Sequence, residues 1–193
     1  MVKKIEPIKP IKEVDKKKRE WFCVASGASL HERDCEKVEA WKAKNPKKRG
    51  IIAVNNTYQL FKDADVLLAV DRAWWEVMKP DFKGLKFCGV SSLQNVEKLP
   101  FHHAGNSGAT ALLLAKYLGA EKIYLLGYDL KITNGKKHWH GNHDRRLGNA
   151  ETMSSWHRHF ELIFKEFKNI EVVNCTRETA LKLFEKRELE KCL

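Results

Sequence analysis

The chain has 193 residues, 43% of them hydrophobic and 32% charged, and carries a net charge of +11. That length fits one domain with appendages, and that hydrophobic share is enough for a packed core. No run approaches the roughly 18 uncharged apolar residues a membrane span needs. The N-terminus also lacks the apolar stretch of a signal peptide, so the expected location is cytoplasmic.

The five cysteines (Cys23, Cys35, Cys88, Cys175 and Cys192) are an odd number without a CxxC pair. Cys23 and Cys88 sit inside apolar runs, where a thiol behaves as a small hydrophobe. That usage fits a reducing compartment. Lys and Arg total 36 against 25 Asp and Glu. The excess suits a polyanionic partner such as DNA, or simply a phosphate-bearing ligand.

In chain order, residues 1–20 hold eight Lys or Arg and no aromatic side chain, and read as a loosely ordered basic arm. One domain then spans 21–193. WFCVAS from Trp21 is a buried-type strand. A helix is expected from His31 to Lys44, where Cys35, Val38 and Trp41 recur near the helical period. Asn45, Pro46 and Gly50 interrupt it. IIAVNN, DVLLAVD and GLKFCGVSS supply three further strands. ATALLLAKYLGA is an apolar helix closed by Gly119, and KIYLLGYD is the next strand. A long polar loop precedes a helix from Met153 to Lys168. NIEVVNC is the last strand, and a charged helix from Arg177 completes the chain.

Apolar strands alternating with helices predict an α/β, Rossmann-like fold: a mostly parallel sheet with helices on both faces. Five of the strands run into small or polar residues, at Ser26-Gly27, Asn55-Asn56, Asp71, Gly127-Tyr128-Asp129 and Asn174. In a parallel sheet those ends share one edge, the edge where open α/β sheets bind ligands.

Two Gly/Ser turns lead into helices on that edge. Ser26-Gly27-Ala28-Ser29 follows the first strand, and Asn106-Ser107-Gly108-Ala109-Thr110 opens the apolar helix. A glycine lets a ligand approach the backbone, and a helix start offers N–H groups to phosphate. Neither turn is GxGxxG or a Walker loop. Ser29, Ser107 and Thr110 can equally cap their helices. Asn55, Asn56, Asp71 and Asp129 offer amides and carboxylates to a base, a ribose or a divalent cation.

The loop Lys136-Lys137-His138-Trp139-His140-Gly141-Asn142-His143-Asp144-Arg145-Arg146 places three histidines within six residues. A general base, a metal site and an ordinary polar loop all stay open for it. The spacing matches no closed zinc motif, so no metal is assigned. Lys137 and Arg145 would suit a leaving phosphate. His102 and His103 read as loop residues, Trp74 and Trp75 as a packed helix start, and His157 and His159 as helix surface or packing residues.

VASGASL, VNNTYQLFKDADVLLAVD and NSGATALLLAKYLGAEKIYLLGYDL occur in an order that resembles two related groups. These are the bacterial lipooligosaccharide sialyltransferases, and the motility accessory factors with the archaeal 6-hydroxymethylpterin diphosphokinase-like proteins. Small chains of this pattern are common in bacteriophage genomes, which would imply the host cytoplasm. The resemblance spans residues 21–180. It implies that Gly27, Ser29, Asn55 and the Ser107-Gly108 turn contact a nucleotide. It also implies a general-base histidine in a His-aromatic-x-Gly-His stretch. Here that stretch carries one extra residue before its last His, so the base is His138 or His143.

The expectation is therefore a metal-independent transferase using a nucleotide-activated sugar. Ser26, Gly27, Ser29, Asn55, Asn56, Asp71, Ser107, Gly108, Thr110, Gly127 and Asp129 would hold the nucleotide. The acceptor would be a hydroxylated DNA base or a surface glycan. One rival is a diphosphokinase needing Mg²⁺ at Asp71 and Asp129. The other is a nucleotide- or nucleic-acid-binding module that relies on the basic arm.

Overall fold

The computed structural model describes residues 18–90, 93–148 and 153–193. Most of the basic arm, 1–17, lies outside them. Lys18 and Arg19 belong to the domain itself. Arg19 N donates to Lys48 O at 2.7 Å, and Lys18 Nζ pairs with Asp65 at 3.2 Å.

Eight strands form one sheet: β1 (Glu20–Val24), β2 (Arg49–Val54), β3 (Val66–Leu68), β4 (Leu85–Cys88), β5 (Glu97–Lys98), β6 (Lys122–Leu126), β7 (Glu171–Asn174) and β8 (Glu185–Lys186). Their order is β5-β4-β3-β2-β1-β6-β7-β8, and every neighbouring pair is parallel. The helices are α1 (Glu32–Lys44), α2 (Arg72–Met78), α3 (Ser107–Tyr117) and α4 (Met153–Phe164). The architecture is the α/β, Rossmann-like one expected.

Alternation along each strand divides the core between the two faces. Trp21, Cys23, Ile52, Val54, Ile123 and Leu125 pack with α3 and α4. Phe22, Val24, Ile51, Ala53, Tyr124 and Leu126 pack with α1. Leu67 and Ala69 meet the buried indoles of Trp74 and Trp75 on α2. Both faces are covered, which is why the strands read as continuous apolar runs.

The helices follow their local signals. Glu32 and Asp34 lie in the first turn of α1, Lys42 and Lys44 in its last, an arrangement that favours the helix dipole. Asn106 caps α3, its side-chain oxygen accepting from Ala109 N at 2.8 Å. α4 ends at Phe164 and continues as a 3₁₀ turn, Lys165–Phe167.

The charged helix expected from Arg177 does not form. The segment instead folds back on the ends of β6 and β7. Ala180 N donates to Asp129 O at 2.7 Å, and Thr179 Oγ1 donates to Tyr128 O at 2.6 Å. Asn174 Nδ2 donates to Leu181 O at 3.2 Å. β8 then pairs with β7, and a 3₁₀ turn, Leu189–Cys192, ends the chain. Burial of Leu181 and Phe184 and these long-range bonds outweigh the helix propensity of a Lys- and Glu-rich run.

Candidate functional site

After β1 the chain crosses to the β2 side of the sheet, and after β6 it crosses to the β7 side. The carboxyl ends of these neighbouring strands are thus a topological switch point, where two connections leave in opposite directions and open a crevice. A cleft of about 470 Å³ lies there. Ser26, Gly27, Asn55, Asp71, Ser107, Gly108, Gly127, Asp129, Lys137, His138 and His143 all line it.

The floor is built by close contact between the two strand ends. Gly27 N donates to Gly127 O at 2.8 Å. The Asp129 carboxylate accepts Ser29 N at 2.7 Å, Ser29 Oγ at 2.8 Å and Thr133 Oγ1 at 3.1 Å. Burial raises the Asp129 pKa above its ordinary value of 3.8, against the bonds from Ser29 and Thr133 that lower it. Asp129 therefore holds the β1 turn to β6.

Replacing Asp129 distinguishes bonding from charge. In Asp129→Ala the Ser29 N–H loses its acceptor, an expected cost of about 1–3 kcal/mol. In Asp129→Asn the amide oxygen can accept the two bonds now made to Oδ2, while its NH₂ donates to Ser29 Oγ, so stability near pH 7 should be kept. Because the folded pKa is raised, protonated Asp129 contributes stability that is complete below pH 3.8 and lost as pH rises through the raised value. Denaturant melts of both variants across pH 3–7 check this, with that pH step absent from Asp129→Asn.

One wall is the start of α3. With Ala109 N bonded to Asn106 Oδ1 and Thr110 N to Asn106 O, Ser107 and Gly108 carry the two leading N–H groups of the helix. Ser107 Oγ accepts from Val70 N at 3.1 Å, which ties the helix start to the end of β3. The Tyr128 hydroxyl donates to Gly108 O at 3.2 Å, and burial raises that phenol's pKa well above 10.0. Asn55, in the left-handed region at φ 51°, and the exposed Asp71 complete this side.

The opposite wall is the histidine loop, which is stitched to the β1 turn. Trp139 N donates to Ser26 O at 3.1 Å, and Gly27 and His138 form an antiparallel bridge. Ser26 Oγ and His138 Nδ1 are hydrogen-bonded at 3.1 Å. The three rings pack together, with centroids 5.2 Å apart for His138–His140, 4.6 Å for His138–His143 and 4.7 Å for His140–His143. Burial first, and then its two histidine neighbours, lower the His140 pKa to about 4, so this ring is neutral at pH 7.

Four expected residues lie outside the cleft lining. Ser29 has both its N–H and its hydroxyl turned to Asp129, and Leu30 N donates to Gly27 O at 3.1 Å. The polar groups of Ser29 are thus spent on the fold, whereas the start of α3 faces the cleft. Asn56 is buried and accepts from Trp74 Nε1 at 2.8 Å. Thr110 is buried and caps α3, donating to Asn106 O at 2.7 Å. Arg145 is exposed, and it is Arg146 that reaches the rim, held by Asp144 through two bonds of 2.9 Å. His102 and His103 are exposed and stay off the cleft as well.

Lining residues given no binding role from the sequence include Tyr128, Met153, Trp156 and Phe160. The last three are spaced i, i+3 and i+7 on α4, a one-face pattern that was available as a signal. Nothing in the sequence marks Tyr128 as the residue that braces α3.

Comparison with protein-family models and with curated proteins gave no match. Among solved structures, the MAf glycosyltransferase from Magnetospirillum magneticum AMB-1 aligns with a TM-score of 0.54 and 14% identity. The two chains share a fold. The match covers 92% of this chain and 37% of the MAf glycosyltransferase, so this chain spans little more than a third of that protein's length. Among the described residues, no helix is long and apolar enough to cross a membrane.

Proposed function

We propose that the protein is a glycosyltransferase-like enzyme that binds a nucleotide-activated sugar in the β1–β6 cleft and passes the sugar to an acceptor hydroxyl. The observation that carries this reading is the pairing of two walls across one switch-point cleft. A helix start suited to phosphate faces a partly buried histidine cluster suited to proton removal. The fold shared with the MAf glycosyltransferase supports it.

In this account the diphosphate or phosphate of the donor lies against the Ser107 and Gly108 N–H groups, with Lys137 nearby. Asn55 and Asp71 meet the ribose or base, and Trp156, Met153 and Phe160 give the cleft an apolar side. The histidine cluster takes the proton of the acceptor hydroxyl. The resulting oxygen attacks the anomeric carbon, the bond from that carbon to phosphate oxygen breaks, and the nucleotide leaves with the electron pair. The acceptor is a hydroxylated base in DNA, to which the +11 charge is suited, or a surface glycan. A diphosphokinase would ask Asp129 to bind Mg²⁺, yet its carboxylate already accepts three bonds of about four available.

A thermal-shift panel of CMP-, UDP- and GDP-sugars in EDTA tests the binding. One nucleotide class at about 100 times its dissociation constant should add about 2.7 kcal/mol, or about 5–10 °C for a chain of this size. Failure of every member to shift the melt or to be hydrolysed would remove the proposal.

A further inference from the structure

We infer that His138, His140 and His143 form a site for one divalent transition-metal ion of the zinc class, on the rim of the cleft. The three side chains offer one ligand atom each, all within 4.8 Å of one another. A tetrahedral ion with bonds of about 2.0–2.1 Å would hold such nitrogens roughly 3.4 Å apart, so side-chain adjustments on the order of 1 Å close the site. The rings already converge. His138 and His140 are parallel, with an interplanar angle of 1°, and His143 is tilted 57° and 56° to them.

Three further observations point to a ligand there. His140 Nε2 is buried and has no hydrogen-bond partner among the described residues. Burying a polar atom without a partner is unfavourable, and coordination would satisfy it. The His138 ring is anchored from behind. In the tautomer whose Nδ1–H donates to Ser26 Oγ, the lone pair lies on Nε2, which is the outer-shell arrangement usual for ligating imidazoles. The backbone also shapes the site. Gly141 has φ +84° and its N–H donates to His138 O at 3.1 Å, a turn that brings His143 back beside His138 and His140.

The chemistry of the donor set selects the ion. Three imidazoles without a carboxylate suit Zn²⁺, Co²⁺ or Ni²⁺ and disfavour Mg²⁺ and Ca²⁺, which take oxygen ligands. The nearby Arg146 is held by Asp144, which offsets the repulsion its charge would exert on a cation. Three protein ligands leave a coordination position open, and His138 and His143 line the cleft, so that position is at the acceptor side of the donor pocket. An ion there would supply a bound water of lowered pKa as the proton acceptor. The site depends on the transfer reading only for what the ion would act on.

The test uses the full chain without an affinity tag, stripped with EDTA, dialysed and titrated with Co²⁺ and then Zn²⁺. One Co²⁺ should bind per chain, with visible bands of a nitrogen–oxygen site and no thiolate charge-transfer band, and Zn²⁺ should displace it. His140→Ala and His143→Ala should each weaken binding at least 100-fold, and Ser26→Ala about 10-fold. Should a variant fail to fold, long-range imidazole NMR of the wild type decides. Three of the eight histidine rings should shift on adding Zn²⁺. Absence of saturable binding, a thiolate band, or shifts at rings other than these three would overturn the assignment. The nucleotide-sugar panel, run in EDTA, stands or falls separately.

Discussion

Gly27→Ala is expected to destabilise the protein by about 3 kcal/mol, lowering its melting temperature by roughly 6–12 °C. An added Cβ would lie 2.1 Å from Asp129 Oδ1 and 2.5 Å from its Cγ. It would also lie 2.5 Å from the Gly127 carbonyl oxygen. Neither neighbour can yield. Gly127 O is backbone and accepts from Gly27 N, and the Asp129 carboxylate is pinned by Ser29 and Thr133. Gly127 is subject to the same closeness from the other side, since its own Cβ would fall 2.3 Å from Ala25 O. Two glycines therefore let β1 and β6 end in contact, and that contact shapes the cleft floor. Differential scanning calorimetry checks the expectation, and a melting temperature within a degree of wild type would refute it.

His138→Ala and His143→Ala should each lower sugar transfer by about 10²–10⁴-fold, the usual worth of a positioned proton acceptor, whether that is an imidazole or a water held by the histidine-bound ion. Binding of the nucleotide-sugar should remain, because the α3 start, proposed to hold the phosphate, lies across the cleft. His138 carries the larger expectation for geometry. It is 6% exposed, hydrogen-bonded to Ser26 and bridged through its backbone to Gly27, so its removal also loosens the loop's hold on β1. His138→Gln serves as the conservative comparison, since its amide can reach Ser26. Initial rates with saturating donor, together with the thermal shift by donor alone, separate the two roles. A variant that loses donor binding and rate in equal measure would place the histidines in binding rather than in proton transfer.

Much of the sheet was legible because strands covered on both faces are apolar throughout, as in WFCV, IIAV and KIYLL. β5 and β8 were not. They are two residues long, and no periodicity resolves two residues. Arg177–Cys192 was misread because helix propensity is local, while the bonds that override it come from Tyr128, Asp129 and Asn174, up to fifty-one residues away. That these residues share one cleft was legible for a different reason: parallel strands gather their ends on one edge, and the punctuation at Gly27, Asn55, Asp71, Gly108 and Asp129 falls there.

Which of those residues would face the cleft and which would hold the fold together was not legible. Ser29 and Asp129 are 100 residues apart and bond only to close the floor. Gly27 lines the cleft, and its missing side chain is also the room that β6 needs. Arg145 and Arg146 are adjacent and chemically alike, and only the turn at Asp144 brings Arg146 to the rim.

The most direct test is a crystal structure of the chain with the nucleotide-sugar that gives the largest thermal shift. Phosphate oxygens within hydrogen-bond distance of the Ser107 and Gly108 N–H groups, and the sugar directed at His138 and His143, are the expected result. A nucleotide bound at the amino ends of the strands, or in the pocket lined by Asp34 and Arg177, would contradict the account.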